Sequence, residues 1–323
     1  MRIRSMVAFA ALASVSLIAA EKSDKRKDPN EIGARNISKG MNFYSLEQER
    51  SLGRQLAAEV ARQAKLVDDP IISEYVNRLG QNLARNSDVT FPVRFTLIQA
   101  DEINAFTLPG GFIYVNTGTV RLSDNEAELA SVMAHELGHA SARHATRQMT
   151  RNDLAGLAQI PLAIAGGWAG FGARQAAAAA MPMAMFKFSR GFENEADMLG
   201  LQYLWKAGYD PTAALDMFER IESTEKRTPG AVSRLFRSHP LTADRIRRTQ
   251  KSIEEMLPGR KEYVLNTSDY EAVRARLGDL STVAKPGRAT PDGPVLRRAP
   301  AVPIDVPLRQ RPDSEDRPTL KKH

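Results

Sequence analysis

The run His135-Glu136-Leu137-Gly138-His139 constrains this chain more than any other part of it. Two histidines four positions apart project from one face of a helix, roughly one turn apart, so both imidazoles can reach a single cation. Glu136 is rotated about 100° from His135 around such a helix, which sets its carboxylate beside the cation rather than on it. A hydrolase needs that arrangement, because the ion acidifies a water and an adjacent carboxylate takes its proton. Upstream, Ser123-Asp124-Asn125-Glu126 has the spacing of a capping box. It opens a long helix that carries Leu129, Val132, Met133, Leu137 and Ala140 and is expected to run past His144. Three of the five histidines fall between 135 and 144, a concentration that argues against two unrelated surface side chains.

The third ligand is expected downstream. A metzincin would carry glycine at 142 and histidine at 145, where this sequence has Ala142 and Ala145. The segment Phe192-Glu193-Asn194-Glu195-Ala196-Asp197 offers a carboxylate pair instead. Glu193 and Asp197 share a helix face, so Glu193 can ligate while Asp197 hydrogen-bonds a ligand histidine. Glu195 points elsewhere and reads as a solvated charge. His144 lies five residues from His139, on another face of a continuous helix, and reads as support for that helix.

Elsewhere the pattern alternates between helix and strand. Leu46, Leu52, Leu56 and Val60 have helical spacing. Asp68-Asp69-Pro70 signals a second helix, with Ile71, Tyr75, Val76, Leu79 and Leu83 on its apolar face. Val93–Leu97 and Gly111–Asn116 read as strands around the turn Pro109-Gly110-Gly111. Helices are expected at 194–207, 212–221 and 243–256, a short strand at Tyr263-Val264-Leu265, and a short helix from Asp269 to Leu277.

Taken in order, His135–His144, then Glu193–Asp197, resemble the gluzincin metallopeptidases of family 48, whose branches include CAAX prenyl proteases, membrane heat-shock proteases and periplasmic β-barrel assembly-enhancing proteases. Asn104-Ala105-Phe106, Pro109-Gly110-Gly111 and Tyr114–Gly118 match that family's strand region, and Ser238-His239-Pro240 with Arg245 its later histidine-proline element. The likeness spans about residues 45–280. It implies an α+β, mostly helical zincin-type fold with a small antiparallel sheet before the catalytic helix. It also implies one Zn²⁺ per chain on His135, His139 and Glu193, with Glu136 as base. Asp197 and Arg245 stand behind the ligands, Arg245 pairing with Asp197 or steadying an oxyanion. The strand around Asn104, Ala105 or Tyr114 would pair with an extended or unfolded polypeptide substrate. In the periplasmic branch the histidine corresponding to His239 can be a fourth ligand, which would cap the metal and keep the enzyme latent. The multiple membrane-spanning helices of the prenyl and heat-shock branches have no counterpart here, which favours the periplasmic branch. A helical-repeat domain is also lacking, so recruitment through one is not assumed.

Composition bears on compartment and partners. Cysteine is absent, which excludes thiolate metal sites and a cysteine nucleophile. Arg2, Arg4 and the fifteen-residue apolar stretch Met6–Ala20 read as a cleaved leader at 1–20, too short to span a bilayer, which takes about 20 residues. Residues 21–43 read as linker, 44–282 as the protease domain and 283–323 as a disordered tail containing eight of the eighteen prolines. Of the net charge of +7, two belong to Arg2 and Arg4 and four to residues 285–323, leaving about +1 for the middle. That distribution argues against nucleic acid as a partner. Leu154–Phe171 is nearly all apolar but interrupted by Pro161 and Gly166-Gly167, and reads as a hairpin or lid with peripheral membrane contact as the alternative. The competing function is a zinc-stabilised periplasmic chaperone or adaptor without proteolytic activity, for which an acid at 136 has no use.

Overall fold

Two capped helices lead into the sheet. Helix α1 (Leu46–Gln63) starts from a reciprocal capping box between Ser45 and Gln48. Helix α2 (Pro70–Arg85) starts from Asp69, whose carboxylate accepts the Ile71 and Ile72 amides, with proline in the first turn. Its buried face is Ile72, Tyr75, Val76, Leu79 and Leu83. Ile71 is exposed instead, because the face begins one residue later than the periodicity suggests. In this computed structural model residues 24–158, 188–227, 239 and 243–283 are described.

The sheet has three strands, β1 (Arg94–Ile98), β2 (Ala105–Leu108) and β3 (Phe112–Asn116), in the order β1-β3-β2. β2 and β3 form an antiparallel hairpin through Gly110 and Gly111, whose φ angles of 74° and 90° suit glycine. β1 pairs with β3 in parallel, Phe95 opposite Ile113. The sheet is therefore mixed and not wholly antiparallel as expected. Two successive reversals return the chain to its starting direction, and β3, not β2, lies beside β1.

A short helix α3 (Thr117–Leu122) precedes α4 (Glu126–Ser141). The cap of α4 is Asn125, which accepts the Glu128 amide, two residues beyond the expected Ser123. Ser123 is occupied as the C-cap of α3, donating its hydroxyl to the Thr119 carbonyl. Nor does α4 run past His144. It stops at Ala142, and Arg143 takes a left-handed φ of 55° before α5 (His144–Ala158) begins. That conformation is costly for a non-glycine residue. Arg143 is held there by bonds from its side chain to the Glu49 carboxylate (2.6 Å) and the Tyr44 carbonyl (2.7 Å).

The remaining described helices are α6 (Arg190–Lys206), α7 (Ala213–Arg227), α8 (Ala243–Met256) and α9 (Ser268–Val283). The strand expected at 263–265 reduces to one bridge between Tyr209 and Val264. α4 is buried along most of its length and packs on α2, α6, α7 and β2. A Cβ on Gly138 would lie 2.8 Å from the Ala196 carbonyl, and one on Gly200 2.9 Å from the His135 amide. Absent side chains at these two positions let the backbones of α4 and α6 touch.

Residues 24–43, read from sequence as linker, lie against the fold. Arg35 is buried and forks onto Asp88 (Nη2–Oδ2 2.8 Å), which also accepts the Tyr203 hydroxyl at 2.9 Å. Charge density disguised this segment, because Arg35 is spent internally. Among the described residues no helix is long and apolar enough to cross a membrane. Leu154–Ala158 ends α5. The rest of the apolar stretch to Phe171, the leader at 1–20 and residues 284–323 lie outside the described residues.

Candidate metal centre

The close α4–α6 contact brings two histidines and a carboxylate together. His135 and His139 face the same way, with their Nε2 atoms 3.1 Å apart. Glu193, in the first turn of α6, sets Oε1 at 3.4 Å from His139 Nε2 and Oε2 at 3.6 Å from His135 Nε2. His239 comes from a different part of the chain. Its Nδ1 lies 3.3 Å from His135 Nε2 and 3.0 Å from Glu193 Oε1. One atom from each of these four residues fits within 4.8 Å, a cluster that could hold one metal ion.

The donor set fits zinc. Bonds of about 2.0–2.1 Å in a tetrahedron place ligand atoms about 3.3–3.4 Å apart, and the separations above bracket that value. Proton accounting agrees. His135 Nδ1 is 2.9 Å from Asp197 Oδ1. A carboxylate only accepts, so the proton sits on Nδ1 and the Nε2 lone pair faces the cluster. His144 Nε2 is 3.1 Å from Glu195 Oε2, and its Nδ1 is 3.0 Å from His139 Nδ1. His144 therefore donates to Glu195 and accepts from His139, which again leaves Nε2 of His139 bare. Burial pushes both His144 and His139 below the usual histidine range, Glu195 opposing it at His144, which favours the neutral rings this chain requires.

Asp197 and Arg245 form the base of the site. Arg245 grips Asp197 through Nε (2.6 Å) and Nη2 (2.7 Å), while its Nη1 lies 3.3 Å from Glu193 Oε2 and donates to the His239 carbonyl at 3.3 Å. Burial would raise the Asp197 carboxyl, but Arg245 and His135 outweigh it and hold it well below the carboxylate range. Glu193 is lowered in the same way, by His239, His135 and Arg245 against its burial. His239 is raised despite burial, because Glu193 and Glu136 face it.

Glu136 is 1% exposed. Its Oε2 lies 2.8 Å from the Thr107 hydroxyl of β2, whereas Oε1 has no hydrogen-bond partner among the described residues and lies 3.4 Å from His239 Nε2. A buried carboxylate oxygen without a hydrogen bond is costly and marks a place where something else belongs. Asn104 Oδ1, just before β2, is likewise buried and unpartnered. β2 is an edge strand among the described strands, so Ala105 sits on an edge. Tyr114 does not. It lies in the central strand, paired with Thr96 and Phe106, and its main chain is already used, so it drops out of the expected substrate strand.

Two residues mattered more than the sequence suggested. Glu195 is not a solvated charge. It is partly buried and takes both His144 and Arg147, the latter at 3.2 Å. His144 reaches the candidate ligand His139 because the break at Arg143 rotates α5. A non-glycine residue gives no signal for that turn, so continuous-helix geometry misplaces the ring.

The family model for peptidase family M48 matches residues 70–253. The beta-barrel assembly-enhancing protease of Escherichia coli (strain K12) is 32% identical over 240 residues, 72% of this chain and 48% of that protein. The metalloprotease LoiP of the same strain is 30% identical over 208 residues, 62% of this chain and 80% of that protein. The mitochondrial metalloendopeptidase OMA1 of Schizosaccharomyces pombe is 35% identical over 159 residues, 48% of this chain and 44% of that protein. The chain spans about half the length of the beta-barrel assembly-enhancing proteases that it matches.

Proposed function

The chain belongs to peptidase family M48, and from that premise we propose that it is a zinc-dependent endopeptidase of the cell envelope acting on extended or unfolded polypeptides. The observation that carries the reading is the buried Oε1 of Glu136, without a hydrogen bond among the described residues, beside four converging ligand atoms. His135, His139 and Glu193 would hold the ion, and zinc, when bound, supplies the Lewis acidity that makes water nucleophilic near neutral pH. Thr107 fixes Oε2 of Glu136, which leaves Oε1 to take the proton of the attacking water and return it to the leaving amine. Asp197 keeps the His135 proton on Nδ1, and His144 with Glu195 does the same for His139. The edge of β2 at Ala105 suits main-chain pairing with a substrate, and Asn104 Oδ1 offers an acceptor there. The name beta-barrel assembly-enhancing protease and the apolar stretch Met6–Ala20 support an envelope location and substrates among misfolded or stalled envelope proteins.

The test is metal analysis of the mature protein with a casein-cleavage assay. One zinc per chain is expected, with activity lost to a chelator and restored by zinc. Zinc binding without cleavage, both in the native chain and with His239 replaced, would overturn the reading.

His239 fills the position that an attacking water requires, so the resting enzyme is latent. If the open state holds about 1–10% of the population, freeing it raises the rate roughly 10–100-fold. His239→Ala is therefore expected to accelerate casein cleavage while zinc stays at one per chain. An unchanged rate with unchanged zinc rules out the cap.

A further inference from the structure

One buried carboxylate outside the ligand cluster joins two parts of the frame around it. Glu49, in the first turn of α1, is 1% exposed. Its Oε1 accepts the Gly110 amide of the β2–β3 turn at 3.2 Å. Its Oε2 accepts Arg143 Nε at 2.6 Å and the Thr146 hydroxyl at 2.9 Å. Glu49 is itself fixed in place. A Cβ on Gly53 would run into the Pro109 carbonyl oxygen, and one on Gly110 would lie 2.6 Å from Arg50 Cα, so the backbone of α1 rests directly on the turn. Arg143, with its φ of 55°, is the residue that separates α4 from α5. Immediately after it, His144 is 0% exposed, its ring stacked on Phe192 at 4.3 Å and its Nδ1 3.0 Å from His139 Nδ1.

We propose that Glu49 is a positioning residue of the metal centre, acting on His139 through Arg143 and His144. The inference rests on the metallopeptidase reading and adds to it a residue that touches neither ion nor substrate. Backbone cost argues for it first. A non-glycine residue at positive φ is strained and persists only where its surroundings over-determine it. Among the described residues, the Arg143 side chain bonds the Glu49 carboxylate and the Tyr44 carbonyl, and only the first of these is charge-assisted on both sides. Geometry argues next. With a helical φ at 143, α4 and α5 would run on as one helix, and His144 would stand about 140° around from His139. His139 would then lose the acceptor that keeps its proton on Nδ1 and its Nε2 lone pair toward the cluster. Glu49 therefore sets the ring state of a ligand from two residues away in the chain of contacts.

The experiment measures the zinc dissociation constant of the full mature chain by competition with a chromophoric chelator, with the melting temperature of each variant alongside. Glu49→Gln is expected to weaken zinc roughly tenfold, the lower end of what outer-shell partners of a metal contribute. An amide has one acceptor oxygen, so it can serve Gly110 or Arg143 but not both. A second substitution at 143 then isolates the backbone. Glycine and alanine both remove the guanidinium, after which the amide oxygen can serve Gly110 and its nitrogen the Thr146 hydroxyl. Only glycine takes a φ of 55° without strain. Glu49→Gln with Arg143→Gly should therefore return to within about threefold of the native constant, while Glu49→Gln with Arg143→Ala stays weak. A purely structural Glu49 would lower the melting temperature and leave the zinc constant where it was. Equal recovery by the two double variants, or by neither, overturns the role. So does a folded Glu49→Gln chain that binds zinc within about twofold of the native one. If Glu49→Gln does not fold, Arg143→Gly and Arg143→Ala alone carry the comparison, and equal zinc affinity in that pair overturns the role. A native chain that takes up no zinc overturns the metallopeptidase reading itself, and the role of Glu49 with it.

Discussion

Glu136→Gln is expected to lower kcat for casein cleavage by roughly 10²–10⁴-fold, the range a positioned general base contributes. The substitution is close to isosteric and leaves the fold alone. Thr107 can still bond the side-chain carbonyl oxygen that replaces Oε2. What changes is the atom at Oε1, where a free acceptor becomes an amide nitrogen that takes no proton. His135, His139 and Glu193 are untouched, so zinc content and melting temperature should hold. The variant therefore binds substrate without cutting it. The adaptor alternative expects no change at all. Activity within a few-fold of the native chain, at full zinc occupancy, would remove Glu136 from its role.

The second large effect is on stability and lies away from the metal. Arg35→Ala is expected to destabilise the protein by about 3–5 kcal/mol, the cost of stranding one member of a buried ion pair. The side chains of Arg35 and Asp88 are 1% and 0% exposed. Without the guanidinium, Asp88 keeps only the Tyr203 hydroxyl (2.9 Å) and the Gly33 amide (2.8 Å) among the described residues. Three main-chain carbonyls, those of Lys25, Arg26 and Asp28, lose the Nη1 donor at the same time, but each keeps another, from the Asp28 amide, the Gln202 side chain and the Glu31 amide in turn. For a domain of this size the melting temperature should fall by roughly 10 °C. Replacing both partners by apolar residues should recover much of the loss. Thermal melts of the single and double variants decide the matter, and an Arg35→Ala melt within about 2 °C of the native one would show the pair to be idle.

Local spacing explains what could be read in advance. His135, Glu136 and His139 sit within two turns of one helix, and Glu193 with Asp197 within another, so each group announces itself by period alone. Asp197 and Arg245, taken together from the resemblance, do meet. What stayed hidden depends on contacts between segments far apart in the chain. Nothing near Arg35 reveals that Asp88 will take its charge. β3 lies between β1 and β2 because of how two reversals stack, which no alternation pattern encodes. Arg143 adopts a glycine-like conformation held by Glu49, almost a hundred positions upstream, and that turn alone carries His144 to His139. The capping box at Ser123 shows a subtler failure. The motif is present, but the residue is already serving the helix before it.

The contact of α4 on α6 through Gly138 and Gly200 has a bearing on how metal is acquired. Because main chain abuts main chain, the spacing of His135, His139 and Glu193 is inherited from two rigid rods rather than from adjustable side-chain packing. The candidate ligands are therefore expected to keep their spacing whether or not an ion is bound. Capture then requires little loss of conformational freedom, unlike small zinc domains that fold only around their metal. Loading is then expected to be a docking event into a finished cradle, so a chain emptied by a chelator should keep its far-UV circular dichroism and be refilled by zinc.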